Sequence, residues 1–365
     1  MAERIKALCI TEDPDRPTTA TFAGLQRAGV DVTVICPPGE RRAWLEENGV
    51  RTLDVPLRKQ FDREAIRRLR AELEHGRYDV LHLFSNKALQ NGLAASRGLP
   101  VKIVAYRGIV GNVSFLSPVS WLRFLNPRID RIVCVAEAVR EYFLRMRPAF
   151  LRVPADRLVT IYKGHSLDWY RAAPADLGAV GVPAGAFAIA CVANYRPRKG
   201  IEVLVDAFAS LPERSHLLLI GAGMDAPRLR RRIEASAAAA RIHVLGHRTD
   251  APALTAACQV FVLPSIKREG LARSLIEAMA YGVAPVVTDC GGSPELVQHG
   301  ESGLVVPMGD AAALAQAIRT LHDDTQLRAR LGAAARERIR TDFRIEDTIA
   351  RTLELYRRLV PAKSR

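Results

Sequence analysis

Val260-Phe261-Val262-Leu263-Pro264-Ser265-Ile266-Lys267-Arg268-Glu269-Gly270-Leu271-Ala272-Arg273-Ser274-Leu275-Ile276-Glu277-Ala278-Met279-Ala280-Tyr281-Gly282 reads as a strand, a turn and a helix. Four apolar residues without polar alternation predict a strand buried on both faces. The turn carries Glu269, and the helix it opens carries Glu277, eight positions on. Between them lie a glycine, small residues and the backbone N–H groups of a helix N-terminus. Carboxylates accept paired hydrogen bonds from vicinal diols, and helix N-termini attract anions. The combination suits a sugar joined to a diphosphate.

The same unit repeats along the chain. Strand-like runs fall at Ile5–Ile10, Val32–Cys36, Val80–Phe84, Val101–Tyr106 and Ile132–Val135, then at Phe187–Val192, Leu217–Ile220, Ile242–Val244, Ala284–Val287 and Leu304–Val306. Helical patterns lie between them, including Thr18–Ala28, Asp62–Glu74, Asn86–Arg97 and Ala136–Met146. Unbroken apolar strands alternating with helices predict parallel sheets covered on both faces, an α/β chain of two Rossmann-like domains. The Pro/Gly/Ala-rich stretch Ala172–Gly185 marks the boundary, giving domains over 1–172 and 173–344. Asp310 is placed to cap a helix over Ala311–Leu321, Leu327–Arg340 continues the pattern, and an amphipathic helix over Ile345–Leu359 ends it. The terminal segment 345–365 is expected to pack back on the first domain.

Composition narrows the classes. At 365 residues, 48% apolar and 25% charged, the chain suits two full cores. It has no apolar run of about 18 residues and no secretory leader pattern, so a cytoplasmic protein is expected. Six scattered cysteines without paired spacing predict buried reduced thiols, not a metal site or disulfide framework. The net charge of +14, concentrated in residues 1–172, points to acidic partners. Nucleic acid is a poor candidate. Aromatic residues are 6% of the chain, they do not interleave with the basic runs, and no nucleic-acid motif appears.

Three further turns belong at the same sheet edge, where parallel α/β sheets bind ligands. Ala193-Asn194-Tyr195-Arg196-Pro197-Arg198-Lys199-Gly200 follows a strand and opens a helix. Both a diphosphate clamp and a solvated basic turn fit this segment alone. Leu219-Ile220-Gly221-Ala222-Gly223 is a tight strand–helix turn, a weak signal by itself. Asp289-Cys290-Gly291-Gly292-Ser293-Pro294-Glu295 adds a third strand–turn–helix. His247, after the strand at Ile242–Val244, is either near a nucleotide base or an exposed loop residue.

With these motifs the chain resembles the family 4 (group 1) retaining GT-B glycosyltransferases. Arg198-Lys199-Gly200, the Glu269/Glu277 pair, Gly291-Gly292-Ser293-Pro294-Glu295 and Gly300-Glu301-Ser302-Gly303-Leu304 stand in that family's order. The resemblance is close over residues 187–320 and architectural elsewhere. It implies two Rossmann-like domains facing across a cleft, and a metal-independent hexosyltransferase with no cofactor beyond a nucleotide diphosphate sugar, a UDP-sugar favoured. It gives Lys199 to the donor diphosphate with Arg196 or Arg198 beside it, Glu269 to the donor sugar, Glu277 to the ribose, and the backbone of Gly270, Leu271 and Ala272 to phosphate and sugar. Lys199 and Glu269 become the catalytic candidates. Three departures stand out. The family's arginine five residues before the lysine is Asn194 here. Thr11-Glu12-Asp13-Pro14 replaces a glycine-rich loop, with Gly24 coming later in a helix. Lys163-Gly164-His165-Ser166 replaces an Asn-Gly-Val-Asp segment.

The acceptor belongs to the first half. His82, Asn86 and Lys87 end one strand and open a helix, and Arg107 ends another, where relatives often carry a histidine. Each is a candidate acceptor contact. Arg63, Arg67 and Arg70 share a helical face near Arg58-Lys59, and Phe115, Leu116, Trp121, Leu122, Phe124 and Leu125 form a second cluster. Basic and aromatic residues together read as a surface for anionic membrane, or else as a solvated helix beside a buried one. The resemblance favours a glycan or lipid-linked acceptor, of lipopolysaccharide or surface-polysaccharide type, at the inner membrane face. A GT-B sugar-nucleotide epimerase or a phosphorylase is the alternative reading.

Overall fold

The computed structural model describes residues 4–147 and 151–360. It divides into two compact units, one running to Gly164 and resuming at Arg344, the other spanning His165–Phe343. The division precedes the Pro/Gly/Ala-rich stretch because the residues before that stretch pack in the second unit. His165 donates its N–H to the Phe343 carbonyl at 2.7 Å, and the Tyr170 ring meets Tyr281 edge-on at 5.8 Å.

The first unit holds β1 (Lys6–Ile10), α1 (Arg16–Arg27), β2 (Asp31–Ile35), α2 (Glu40–Glu47), β3 (Arg51–Leu53), α3 (Arg63–Gly76), β4 (Val80–Leu83), α4 (Asn86–Ala95), β5 (Lys102–Arg107), α5 (Pro118–Trp121), β6 (Arg131–Cys134), α6 (Glu137–Leu144) and β7 (Leu158–Thr160). Its sheet runs β3-β2-β1-β4-β5-β6-β7, with every pairing parallel. The order reverses between β1 and β4, so the loops after these two strands part and leave a crevice at the sheet's C-terminal edge.

The second unit holds β8 (Phe187–Val192), α7 (Ile201–Phe208), β9 (Ser215–Ile220), α8 (Pro227–Glu234), β10 (Ile242–Gly246), α9 (Ala251–Ala256), β11 (Val260–Leu263), α10 (Arg273–Ala280), β12 (Ala284–Thr288), α11 (Ser293–Leu296), β13 (Leu304–Val306), α12 (Ala311–Asp323) and α13 (Thr325–Asp342). Its order, β10-β9-β8-β11-β12-β13, is again all parallel and reverses between β8 and β11. The central strands β8, β11 and β12 bury nearly every residue, as their unbroken apolar runs require. Asp310 caps α12 through Ala313 N–H at 2.9 Å.

The chain returns to the first unit as α14 (Ile345–Leu359), which packs on α1. Gly24 permits the approach, since a Cβ there would lie 2.2 Å from Ile349 Cδ1. Thr348 Oγ1 accepts from Gly164 N–H at 2.8 Å and donates to the Tyr162 carbonyl at 2.7 Å. Tyr356, fully buried, places its hydroxyl 2.8 Å from His82 Nδ1 and 3.8 Å from Cys9 Sγ. His82 is therefore a core residue of β4, 3% exposed, and not an acceptor contact at the sheet edge. All six cysteines are free and buried, and burial pushes Cys9, Cys134, Cys191 and Cys258 up to about 12.

Burial also pushes His82 down to about 3 from 6.5. The folded protein keeps the ring neutral while the unfolded chain protonates it below 6.5. Stability is therefore whole above pH 6.5 and falls toward pH 3 by up to about 1.4 kcal/mol per unit. Urea unfolding at a series of pH values should show this slope, and His82→Gln should flatten it whatever its effect at neutral pH.

Candidate active site

Four turns meet around the switch point of the second unit because glycines let their backbones touch. Gly200, at φ +64°, sits where a Cβ would stand 2.1 Å from the Pro264 carbonyl oxygen. Gly221, at φ +144°, would place one 2.0 Å from the Ala193 oxygen. Gly291, at φ +56°, would place one 2.1 Å from the Glu269 oxygen. Any side chain there would force the turns apart. Backbone bonds complete the seam, from Ile266 N–H to the Arg198 carbonyl at 2.9 Å and from Tyr195 N–H to Ala222 at 2.8 Å. Asn194, which replaces the family's arginine, accepts from Ala222 N–H at 3.1 Å. It braces the loop, which leaves Arg196 and Arg198 as the arginines of this turn beside Lys199.

Glu269 stands at the centre, 6% exposed. Its Oε2 accepts from Lys199 Nζ at 2.8 Å and from Ser265 Oγ at 2.6 Å. Ser265 is itself fully buried, and its carbonyl accepts from Thr288 Oγ1. The sequence reading gave Ser265 no role, although it lies four residues before Glu269. Arg198 donates to the Arg268 carbonyl at 3.2 Å, which ties the basic turn to the glutamate turn. Arg268 holds φ +62°, a left-handed backbone for a residue with a Cβ. Arg196 is exposed. Glu277, half-buried on α10, faces Arg273 at 3.5 Å. Neither Gly200 before α7 nor Ala272 before α10 supplies a side-chain cap, which leaves N–H groups for an anion. Gly270, Leu271 and Ala272 connect Glu269 to that N-terminus. Lys199, Glu269, Arg198 and this backbone are thus brought together. His247 is exposed at the end of β10, the edge strand, next to Gly246, whose carbonyl accepts from Gly221 N–H at 2.7 Å.

At the switch point of the first unit the polar groups satisfy one another. Lys87 Nζ lies 2.9 Å from Glu12 Oε1 and donates to the Leu57 carbonyl at 3.1 Å. Glu12 also accepts from Ser85 Oγ. Arg107, buried, donates to the carbonyls of Ile109 and Gly111 and lies over the Phe124 ring, so it braces the following loop rather than offering its charge. Asn86 is exposed at the start of α4. A pair the sequence reading did not assign, Lys163 and Asp15, meets here at 2.5 Å. Burial raises the Asp15 carboxyl, but Lys163 and the Thr18 hydrogen bonds outweigh it and hold the group below its ordinary value.

The two units each match a family. Residues 176–338 match Glycosyl transferases group 1, and residues 16–164 match the Glycosyl transferase 4-like domain. The alpha-maltose-1-phosphate synthase of Mycolicibacterium smegmatis is 31% identical over 66% of this chain and 66% of its own length. The phosphatidyl-myo-inositol mannosyltransferase of Mycobacterium leprae is 30% identical over 78% of this chain and 74% of its own. Several other curated relatives are matched over about half their length. Among solved structures, Anabaena Alr3699/HepE, crystallised with UDP and glucose, has a TM-score of 0.79 at 23% identity, covering 96% of this chain and 99% of that one. The chain belongs to the group 1 glycosyl transferases. It is a glycosyltransferase of the GT-B fold.

The glycine seam makes a direct prediction. Gly291→Ala should destabilise the protein by about 1–3 kcal/mol more than Gly300→Ala. Gly300 has a similar φ of +76° but open space around it, so the difference isolates the contact with Glu269. Urea unfolding of the two variants measures it.

Proposed function

We propose that this glycosyltransferase moves a hexosyl group from a nucleoside diphosphate sugar, a UDP-sugar foremost, to a lipid-linked glycan at the inner face of a membrane. The reaction retains the anomeric configuration and uses no metal ion. The observation that carries the reading is the Lys199–Glu269–Ser265 cluster beneath two helix N-termini that lack side-chain caps.

A diphosphate carries more charge than one carboxylate and competes for Lys199. As the ammonium turns to it, Ser265 still holds Glu269 Oε2, and Oε1 meets the sugar hydroxyls. Ser265 acts as the positioning residue for Glu269. Glu277 takes the ribose diol. The bond from the anomeric carbon to the β-phosphate oxygen breaks, and the acceptor oxygen bonds to that carbon on the same face. The acceptor's proton passes to the departing phosphate. Lys199, Arg198 and the N–H groups of α7 and α10 meet the charge that develops on the leaving diphosphate.

The UDP and glucose held by the Anabaena protein support the donor class, and the phosphatidyl-myo-inositol named for the mycobacterial enzyme supports a lipid acceptor. A lipopolysaccharide or surface-polysaccharide precursor fits the same description. Among the acceptor candidates, Asn86 is the exposed one, with Lys87 and the Lys163–Asp15 pair beside the same crevice.

Thermal shift against UDP-, GDP- and ADP-sugars tests the donor. A true donor at 100 times its Kd adds about 2.7 kcal/mol of stability. Glu277→Ala and Lys199→Ala should each cut transfer by about 10²-fold or more. Lys199→Ala also strands the Glu269 charge and lowers the melting temperature. Ser265→Ala should cost about tenfold in kcat/KM and weaken sugar-nucleotide binding while sparing UDP alone. Chelator should leave the rate unchanged, and proton NMR should show the donor's anomeric configuration in the product. Near-normal transfer by both Lys199 and Glu277 variants would overturn the assignment. Turnover without acceptor would favour an epimerase, and a strict need for inorganic phosphate a phosphorylase.

A further inference from the structure

The largest exposed apolar side chains of the first unit gather on two neighbouring segments. Leu116 is 84% exposed, Phe61 62% and Leu122 59%, with Val119 and Trp121 also open to solvent. The segments touch through Arg123, whose Nη2 donates to Gln60 and to Gln90, each at 3.1 Å. Single exposed apolar residues are ordinary, but five on two joined segments are not.

These side chains are held out, not left loose. Asn91, fully buried on α4, accepts from Asp62 N–H at 2.8 Å and donates to the carbonyls of Lys59 at 3.2 Å and Gln60 at 3.4 Å. Asp62 then caps α3 through Ala65 N–H. Phe61 therefore projects from a pinned turn. In the other segment Trp121 Nε1 donates to the Phe115 carbonyl at 2.8 Å, and Ser114 N–H donates to Ser120 Oγ at 3.1 Å. The core takes Phe115, Phe124 and Leu125, which leaves Leu116, Val119, Trp121 and Leu122 outside.

Charge completes the surface. Residues 58–68 carry five cations against Asp62 and Glu64, and the Asp62 carboxylate is committed to its cap. Arg58, Lys59, Arg63 and Arg67 are exposed. Arg70 leaves this set, because it donates to Glu74 and to the carbonyls of Ala95 and Arg97.

We infer that Phe61, Leu116, Val119, Trp121 and Leu122 form a preformed wedge that enters an anionic lipid surface, with Arg58, Lys59, Arg63 and Arg67 on the headgroups. Apolar tips with flanking cations match a bilayer interface, where hydrocarbon and anionic phosphate lie a few ångströms apart. The inference deepens the lipid-acceptor reading and rests on it. The wedge brings the enzyme to the surface where such an acceptor lies.

Vesicle co-sedimentation of the full chain tests it, with phosphatidylcholine alone and with phosphatidylcholine–phosphatidylglycerol mixtures. The wild type should partition into the anionic vesicles, more weakly into the neutral ones, and less at high salt. Phe61→Ser and Leu116→Ser should each weaken partition by about tenfold. The Arg63→Glu/Arg67→Glu double variant should abolish the preference for phosphatidylglycerol. Because these residues are exposed, melting temperature and the donor thermal shift should not change. Absence of wild-type partition, or equal partition by the Phe61→Ser/Leu116→Ser double variant, overturns the inference while an intact donor shift leaves the proposed function standing. A wild-type dimer in light scattering that this double variant loses would assign the face to a second copy instead. Vesicle binding with no response to any sugar nucleotide would keep the wedge and remove the donor reading.

Discussion

Everything at the second switch point depends on backbone touching backbone. Gly200 against Pro264, Gly221 against Ala193 and Gly291 against Glu269 each bring two chains closer than a Cβ allows. The parallel sheet places the four turns side by side, and the glycines remove the gaps between them. A carboxylate set on such a seam is 6% exposed without being deep in the core. The local dielectric is low, and a cation a few ångströms away counts for far more than in water. Glycine spacing thus governs the electrostatics of this site before any charged side chain is considered.

The Lys199–Glu269 pair shows what that setting does. Its side chains are 14% and 7% exposed, so the pair escapes much of the screening that makes surface ion pairs weak. A buried pair is a poor source of stability, because desolvation offsets most of the attraction. Its value here is positional. Each charge needs the other while no anion is present, and Ser265 supplies the neutral bond that outlasts an exchange. A diphosphate that takes Lys199 need not leave Glu269 stranded.

The motifs that rest on backbone geometry were legible in the sequence. Central strands declared themselves as unbroken apolar runs, and Phe187–Val192 and Val260–Leu263 have the observed bounds, as does the all-apolar edge strand Leu304–Val306. The edge strands Arg51–Leu53 and Leu158–Thr160 did not, because three residues that mix polar with apolar side chains form no apolar run. Glycine-rich turns pointed to the right sheet edge. What the sequence hides is pairing between distant residues. His82 looked like an edge ligand until Tyr356, 274 positions away, claimed its Nδ1. Arg107 read as a candidate acceptor contact, and its Nε and Nη2 turn out to donate to carbonyls of its own loop. Gly24 looked like a displaced motif residue and proves to be the contact with Ile349.

The two switch points differ in their physics. In the second unit Lys199, Glu269 and Arg198 stand with backbone amides, and under the proposed function the amides and cations meet the diphosphate. In the first unit Lys87, Glu12, Lys163, Asp15 and Arg107 are already spoken for. Under the proposed function, an acceptor that binds there displaces one of these partners or uses neutral groups such as Asn86. Displacing Asp15 from Lys163 would expose an ammonium, while Asp15 Oδ1 keeps its cap on Thr18 N–H. A neutral hydroxyl gains too little to do that, whereas a phosphate gains a charge-assisted bond in exchange. The lipid-linked acceptor proposed above, with a phosphate near its hydroxyl, would suit this edge better than a free glycan.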